Sequence, residues 1–301
     1  MAHTSETPAD TEHMALEIAS QPEMWARAAG MAVEHGMLPA AGANVAVVGC
    51  GTSWFMAQSY ASLREASGHG RTDAFAASEA SLDRDYDAII AITRSGTTTE
   101  VLDLLQRNGG RIPTIGIVAD TASPFVDLVD QVIALPFADE SSVVQTRFAT
   151  TALALLRTSL GADLSGAIAD AANAVAAEPD PTMVAAQQFT FLGRGWAVGL
   201  ANEAALKLRE AAQAWTESYP AMEYRHGPIA IAAPNRVTWM LGPTPSGLRA
   251  DVQATGAHFV HSNRDPMAEL ISIQKVALQR ARSLGLDVDQ PRSLTRSVVL
   301  R

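Results

Sequence analysis

The chain has 301 residues, 48% of them hydrophobic and 18% charged, with 32 acidic residues against 22 basic ones and a formal net charge of −10. So acidic a balance argues against broad nucleic-acid binding, which needs a basic face, and no apolar run approaches the ~18 uncharged residues of a membrane helix. The single cysteine, Cys50, excludes an internal disulfide and a multi-cysteine metal site. The opening, MAHTSETPADTEHMALEIA, carries acids where a secretory signal would carry positive charge, which predicts a cytoplasmic protein. A few local donors still suffice to hold a small anion against the global field.

Apolar spacing in Glu23–His35 predicts a helix, and residues 1–40 read as an N-terminal helical segment. Asn44–Val48 is a short apolar run ending at Gly49, the pattern of a parallel strand buried on both faces. A helix follows from Trp54 to Ala66, then a strand at Asp87–Ile92 and a helix at TEVLDLLQRN, Thr99–Asn108. Further strands are predicted at Ile112–Asp120 and Gln131–Phe137. Strands alternating with helices imply an α/β domain with a largely parallel sheet. Residues 150–178 read as helices until EPDPT, Glu178–Thr182, whose two prolines break the pattern. The domain boundary is placed there, giving a first α/β domain at 41–178 and a second at 179–301 that ends in a tail.

Beyond the break the first half recurs. NVAVVGCGTSWFMAQSYASLREAS aligns, with one gap, on QFTFLGRGWAVGLANEAALKLREAA. Each copy has an apolar run, a Gly-x-Gly (Gly49 and Gly51; Gly193 and Gly195) and a helix ending in Leu-Arg-Glu (Leu63–Glu65; Leu208–Glu210). The pattern predicts two copies of one α/β fold. The later strand of the second copy, RVTWMLGPTPSG, lacks the Ser-Gly-Thr-Thr turn of the first, so a ligand site of that kind belongs to the first half.

Two hydroxyl-rich turns follow two predicted strands: CGTS after the first and TRSGTTT after the second. In an open parallel sheet, ligands sit at the carboxyl ends of strands. There the next helix begins, with unpaired N–H groups and the positive end of its dipole, and an anion is stabilised without any lysine. Thr52, Ser53, Thr93, Ser95, Thr97 and Thr98 are the candidate donors. Ser and Thr also serve as ordinary helix caps, and Thr97 with Glu100 has the spacing of a capping box. A dinucleotide fingerprint would need a third glycine where Trp54 stands, and Gly193-x-Gly195 meets Val198 at the same place.

The other informative stretch is NEAALKLREAAQAWTESYPAMEYRHGP, Asn202–Pro228. Its first part is helical. Glu203 and Glu210 are two turns apart on one face, with Lys207 between them, and Glu203 with Lys207 read as a solvated charged face. His226 follows in an HGP turn. A carboxylate and a histidine near an anion crevice suit proton transfer, such as the enediol shuttle between C1 and C2 of a sugar phosphate.

These residues together resemble the double sugar-isomerase (SIS) domain family, in particular the isomerase half of glucosamine-6-phosphate synthase and related phosphosugar deglycases and deaminases. The motifs that carry the resemblance are EIASQP (Glu17–Pro22), GCGTS, SGTTTE, EAALKLRE, HGP and the closing DVDQPRSLTRSV (Asp287–Val298), in family order along nearly the whole chain. The resemblance implies two tandem SIS domains, each a parallel sheet flanked by helices in a flavodoxin-like three-layer sandwich. It implies a phosphosugar aldose–ketose isomerase acting on a hexose or amino-hexose 6-phosphate, including a version coupled to deamination or deglycation. No metal or other cofactor is expected. Thr52, Ser53, Thr93, Ser95 and Thr98 would hold the phosphate, while Gly51, Arg94, Glu140, Gln145 and Arg296 would line the sugar. Glu210 matches the base that moves the proton. His226 matches the ring-opening histidine, which in the family reaches over from a neighbouring subunit and so implies a homodimer with a shared active site. A non-catalytic phosphosugar sensor is the alternative.

Two departures qualify what the resemblance implies. Ala2 follows Met1 where the synthase's glutamine-splitting half has its cysteine, so no glutaminase activity is expected. Arg296 stands where the synthase tail carries the lysine that forms an imine, and a guanidinium is not an imine-forming nucleophile. The two lysines of the chain, Lys207 and Lys275, both fall in helical patterns.

Overall fold

A computed structural model describes residues 12–300; the start of the N-terminal segment, with Ala2, lies outside the described residues. Helix α1 (His13–Ala29) and the single turn α2 (Ala32–His35) lead into strand β1 (Val45–Gly49). The chain continues through α3 (Thr52–Ala66), β2 (Thr72–Ala76), β3 (Ala88–Thr93), α4 (Thr99–Asn108), β4 (Thr114–Val118) and β5 (Gln131–Ala134). Helices α5 (Arg147–Ser159), α6 (Ser165–Ala176) and α7 (Pro181–Val184) bridge to the second half. That half comprises β6 (Gln188–Gly193), α8 (Ala197–Ala212), β7 (Trp215–Pro220), β8 (Arg236–Leu241), α9 (Leu248–Ala254), β9 (His258–His261) and α10 (Pro266–Ser283).

Two parallel sheets result, ordered β2-β1-β3-β4-β5 and β7-β6-β8-β9. The first order is the flavodoxin-like one, and the second repeats its first four positions, as two copies of one fold require. Alternate residues of each central strand face opposite cores. Val45, Val47, Ile90 and Ile92 point into the middle of the molecule, while Ala46, Val48, Ile89 and Ala91 meet Val101, Leu104 and Leu105 of α4 on the outside. In the second sheet Phe189, Phe191 and Trp239 point inward, and Leu192, Met240 and Phe259 pack outward on Leu248 and Val252 of α9.

The middle is one continuous core. Helices α1, α3, α5, α6, α8 and α10 lie between the two sheets and pack across the halves, α3 on α8, α6 on α10, and α1 on α5, α6 and α10. Trp25 is fully buried there and donates from Nε1 to Thr150 Oγ1 at 2.9 Å. Truncating such a side chain costs about 3–5 kcal/mol. Among the described residues no helix is long and apolar enough to cross a membrane.

Helix α1 begins ten residues before the predicted start at Glu23 and runs through Pro22. A proline there leaves the carbonyl four residues back without its helical donor, and Gln21 Nε2 contacts that carbonyl, Ile18 O, at 3.4 Å. The helix start is capped from far along the chain: Asp289 accepts from the N–H groups of His13 and Met14 at 2.9 Å. Edge strands β2, β7 and β9 are additions to the elements read from the sequence.

Candidate active site

Helix α3, which follows β1, packs in the middle layer, whereas α4, which follows β3, packs on the outer face. The chain thus leaves two neighbouring strands in opposite directions and opens a crevice between their carboxyl ends. Gly51, Thr52, Ser53, Thr93, Arg94, Ser95, Thr98, Gln145 and Glu210 line one cleft there, roofed by Thr295–Val298 of the C-terminal tail. Ten of the twelve site residues expected from the sequence therefore converge, counting Arg296 of the tail; Glu140 and His226 are the two that do not.

Neither helix start is capped by its own side chain. The N-caps are Gly51 for α3 and Thr98 for α4, and neither accepts a capping bond. The capping box expected from Thr97 and Glu100 does not form, because Thr97 Oγ1 instead bonds Ser95 Oγ at 3.1 Å and Ser297 Oγ at 2.8 Å. Thr93 Oγ1 accepts from Gly96 N at 3.2 Å, closing the second turn. Gly96 is required at that turn: its φ is +62°, and a Cβ would stand 1.9 Å from Ser123 Oγ. Gly49 serves the first turn through close approach, since a Cβ would meet the Ser53 backbone at 2.7 Å, and Gly193 meets Ala197 the same way.

Glu210 enters the cleft from α8, in the other half of the chain. Its carboxylate is 2.5 Å from Lys207 Nζ, which also donates to Thr52 Oγ1 at 3.0 Å and lies 3.4 Å from Glu203. This corrects the expectation of a solvated face: Lys207 and Glu203 are 0% and 1% exposed. Burial pushes the Glu203 carboxyl up to about 8, Lys207 opposing and Glu210 adding to the rise. Burial alone would lower the Lys207 ammonium, but the two carboxylates beside it outweigh that and hold it above its ordinary value. A charged ammonium thus fixes Glu210 at the cleft wall. Lys207 is the functional residue that sequence reading missed. The signal for it is composition: the same helix face carries Leu200, Ala204, Leu208 and Ala211, all buried, which leaves no solvated side at Lys207.

Three expected lining residues have other duties. Glu140 is 2% exposed and caps α5, accepting from Thr146 N at 2.6 Å, Thr146 Oγ1 at 2.8 Å and Arg147 N at 2.8 Å. Burial raises its carboxyl, with Arg94 Nη1 at 3.8 Å opposing. Arg94 lines the cleft, but its Nη atoms donate to Ser142 O, Val143 O and Arg296 O. Arg296 also lines the cleft, but its guanidinium donates to Asp139 at 2.6 Å and to Glu140 O. Two buried polar atoms on lining residues lack a partner among the described residues: Gln145 Oε1 and Arg94 Nε. Cys50 also lines the cleft, its thiol pushed up to about 11 by burial and by Glu100.

His226 sits exposed at the end of the 3-10 turn Glu223–His226 and is not part of the cleft wall of its own chain. Glu17 of EIASQP accepts from Ser141 N at 2.6 Å and Ser142 N at 3.2 Å, so the opening motif fastens the loop beside Glu140 to α1. Among the described residues no group of three or more His, Cys, Asp or Glu is placed to hold a metal ion.

No protein-family model matches the chain. In sequence it is 28% identical over 320 residues to the isomerizing glutamine–fructose-6-phosphate aminotransferase of Neisseria meningitidis serogroup B, covering 85% of this chain and 52% of that protein. The chain spans about half the length of the curated relatives it matches first. In structure it superposes on glucosamine-6-phosphate deaminase from Thermotoga maritima with a TM-score of 0.78 at 23% identity, covering 95% of this chain and 100% of that one. Tagatose-6-phosphate ketose/aldose isomerase from Escherichia coli gives a TM-score of 0.77 at 16% identity, with 98% of each chain covered.

Proposed function

We propose, for a chain that belongs to the double sugar-isomerase family, an aldose–ketose isomerase of hexose 6-phosphates or amino-hexose 6-phosphates. The observation that carries this reading is the convergence in one cleft of two uncapped helix starts and one carboxylate fixed by a buried lysine. The phosphate sits on the starts of α3 and α4, held by N–H groups, the helix dipoles and the hydroxyls of Ser53, Ser95 and Thr98. The partnerless Gln145 Oε1 takes up a sugar hydroxyl. Glu210 removes a proton from C2 of the open-chain aldose, giving an enediolate; the O2 hydroxyl proton passes to O1, and Glu210 returns its proton to C1 to give the ketose.

The reaction runs without an imine to the protein. Arg296 replaces the lysine of the family tail, Lys207 is buried among its three partners, and Lys275 Nζ donates to the carbonyls of Val175 and Ala177. With an amino sugar the same proton shuttle prepares loss of the amine to water as ammonia, in keeping with the name of the deaminase that the chain superposes on. Ring opening falls to His226 of a second copy in a homodimer, consistent with its exposure in this chain.

Incubation in D2O with fructose 6-phosphate, glucosamine 6-phosphate and tagatose 6-phosphate tests the reading. Deuterium is expected at C1 or C2 of at least one of them, and not with Glu210→Gln. Tight binding by calorimetry without exchange on any sugar would overturn the enzyme in favour of a phosphosugar sensor.

A further inference from the structure

We propose that Arg94 is a positioning residue: its guanidinium clasps the C-terminal tail to the loop at 139–143 and so holds the roof over the cleft. The proposal rests on the sugar-phosphate reading of that cleft and adds a specific device to it.

Arg94 stands just beyond the end of β3, and its backbone is pinned, the carbonyl accepting from Ala119 N at 3.2 Å and Asp120 N at 3.1 Å. The side chain is 2% exposed. From this fixed root Nη1 reaches Ser142 O at 3.0 Å, while Nη2 reaches Val143 O at 3.3 Å and Arg296 O at 2.9 Å. One planar fork therefore joins the second phosphate turn, the loop and the tail, which are three walls of the same cleft. Only arginine offers donors in that fixed geometry; an ammonium is a single point on a flexible stem.

The tail answers in kind. Arg296 donates back across the same seam, to Glu140 O and to the Asp139 carboxylate. The loop in turn is fastened from behind by Glu17, and Glu140 is locked as the cap of α5. The clasp thus hangs from rigid parts. On the far side of the cleft the tail is attached by hydrogen bonds from Thr99 N to Val298 O and from Leu300 N to Thr99 Oγ1, with the Thr97–Ser297 hydroxyl pair between them. Arg94 and Arg296 supply the loop-side contacts of the roof itself; without them the loop keeps only the backbone bond from Val143 N to Asp289 O at 2.9 Å, earlier in the tail.

Amide hydrogen exchange of the tail, together with steady-state kinetics, tests the clasp. With Arg94→Gln, exchange at Thr295–Val299 is expected to accelerate roughly tenfold or more, while β1 and β3 keep their protection. KM is expected to rise roughly tenfold with kcat changing less than about threefold, and Arg94→Lys to recover only part of the tail protection. Arg296→Ala removes the reciprocal arm from a partly exposed site and keeps the fold. It is expected to loosen the tail in the same direction, less than additively with Arg94→Gln. Unchanged tail exchange in Arg94→Gln overturns the proposal, and so does unchanged exchange in Arg296→Ala if Arg94→Gln fails to fold. If the wild-type chain turns over no sugar phosphate, the functional reading fails, and the exchange measurement still decides the clasp.

Discussion

The turns after β1 and β3 and those after β6 and β8 occupy the same places in two sheets of the same strand order. The first pair brings five hydroxyls, Thr52, Ser53, Thr93, Ser95 and Thr98, to two uncapped helix starts. The second pair brings Arg194, Gly195 and Trp196 to α8 and the prolines Pro243 and Pro245 to the loop before α9, where each proline lacks an N–H to offer. What the second half adds to the cleft is the C-terminal end of α8, with Glu210 on the wall and Lys207 and Glu203 behind it. The comparison teaches that one scaffold, used twice, divides a proposed reaction into anion binding by one copy and proton transfer by the other.

The division breaks most sharply at Glu210. Glu210→Gln is expected to lower solvent deuterium exchange by about 10²–10⁴-fold in a chain that still folds. Exchange at the wild-type rate would remove the second copy from the chemistry. Next comes Lys207→Met, which removes the cation that the Glu203 and Glu210 side chains share. It is expected to cost about 3–5 kcal/mol in urea unfolding, and a loss below about 1 kcal/mol would mean that the buried ion pairs are not what fixes Glu210.

A smaller effect separates the two pairs of turns. Ser95→Ala is expected to raise KM for a sugar phosphate by roughly tenfold or more, as for a hydrogen bond to a charged group. Ser246→Ala, in the loop between β8 and α9, should stay within about twofold; equal effects would erase the distinction. The smallest effect concerns Glu203. The folded chain keeps a proton there up to about pH 8, whereas an ordinary glutamate releases it near 4.5. The unfolded chain therefore binds fewer protons in that window, and this group's contribution to stability declines as pH rises from about 4.5 to about 8. Tm of the wild type should fall relative to Glu203→Gln between about pH 5 and about pH 9, and parallel curves would place the carboxyl in its ordinary range.

The central strands and both hydroxyl turns were legible in the sequence because their signals are local. β1 and β3 are unbroken apolar runs, and each ends directly in its turn. Strands β2 and β7 were not, since an edge strand is half solvated: TDAFA and WTESYP carry polar residues and, in β7, a terminal proline. Helix α1 extends back through Pro22 to His13, beyond the apolar spacing that marked the helix from Glu23. The duties of Lys207, Glu140 and Arg94 depend on what lies across from them: α3 for the lysine, the start of α5 for the glutamate, the tail for the arginine. Partners 155, 6 and 202 positions away, as for Lys207–Thr52, Glu140–Thr146 and Arg94–Arg296, show that even a short separation hides a role when the direction of the side chain is fixed by packing.

The continuous middle layer bears on how the chain can be divided. Severed at the Pro179–Pro181 break, the gene would yield one fragment holding the anion turns and another holding Glu210. Each would present to water the apolar flank that α8 and α10, or α1, α3 and α6, normally hide. Neither piece should remain dispersed by itself, but the two produced together should find each other through those flanks. Recovery of the proposed turnover would then report their reassembly, with the two hydroxyl turns and Glu210 carried on separate polypeptides.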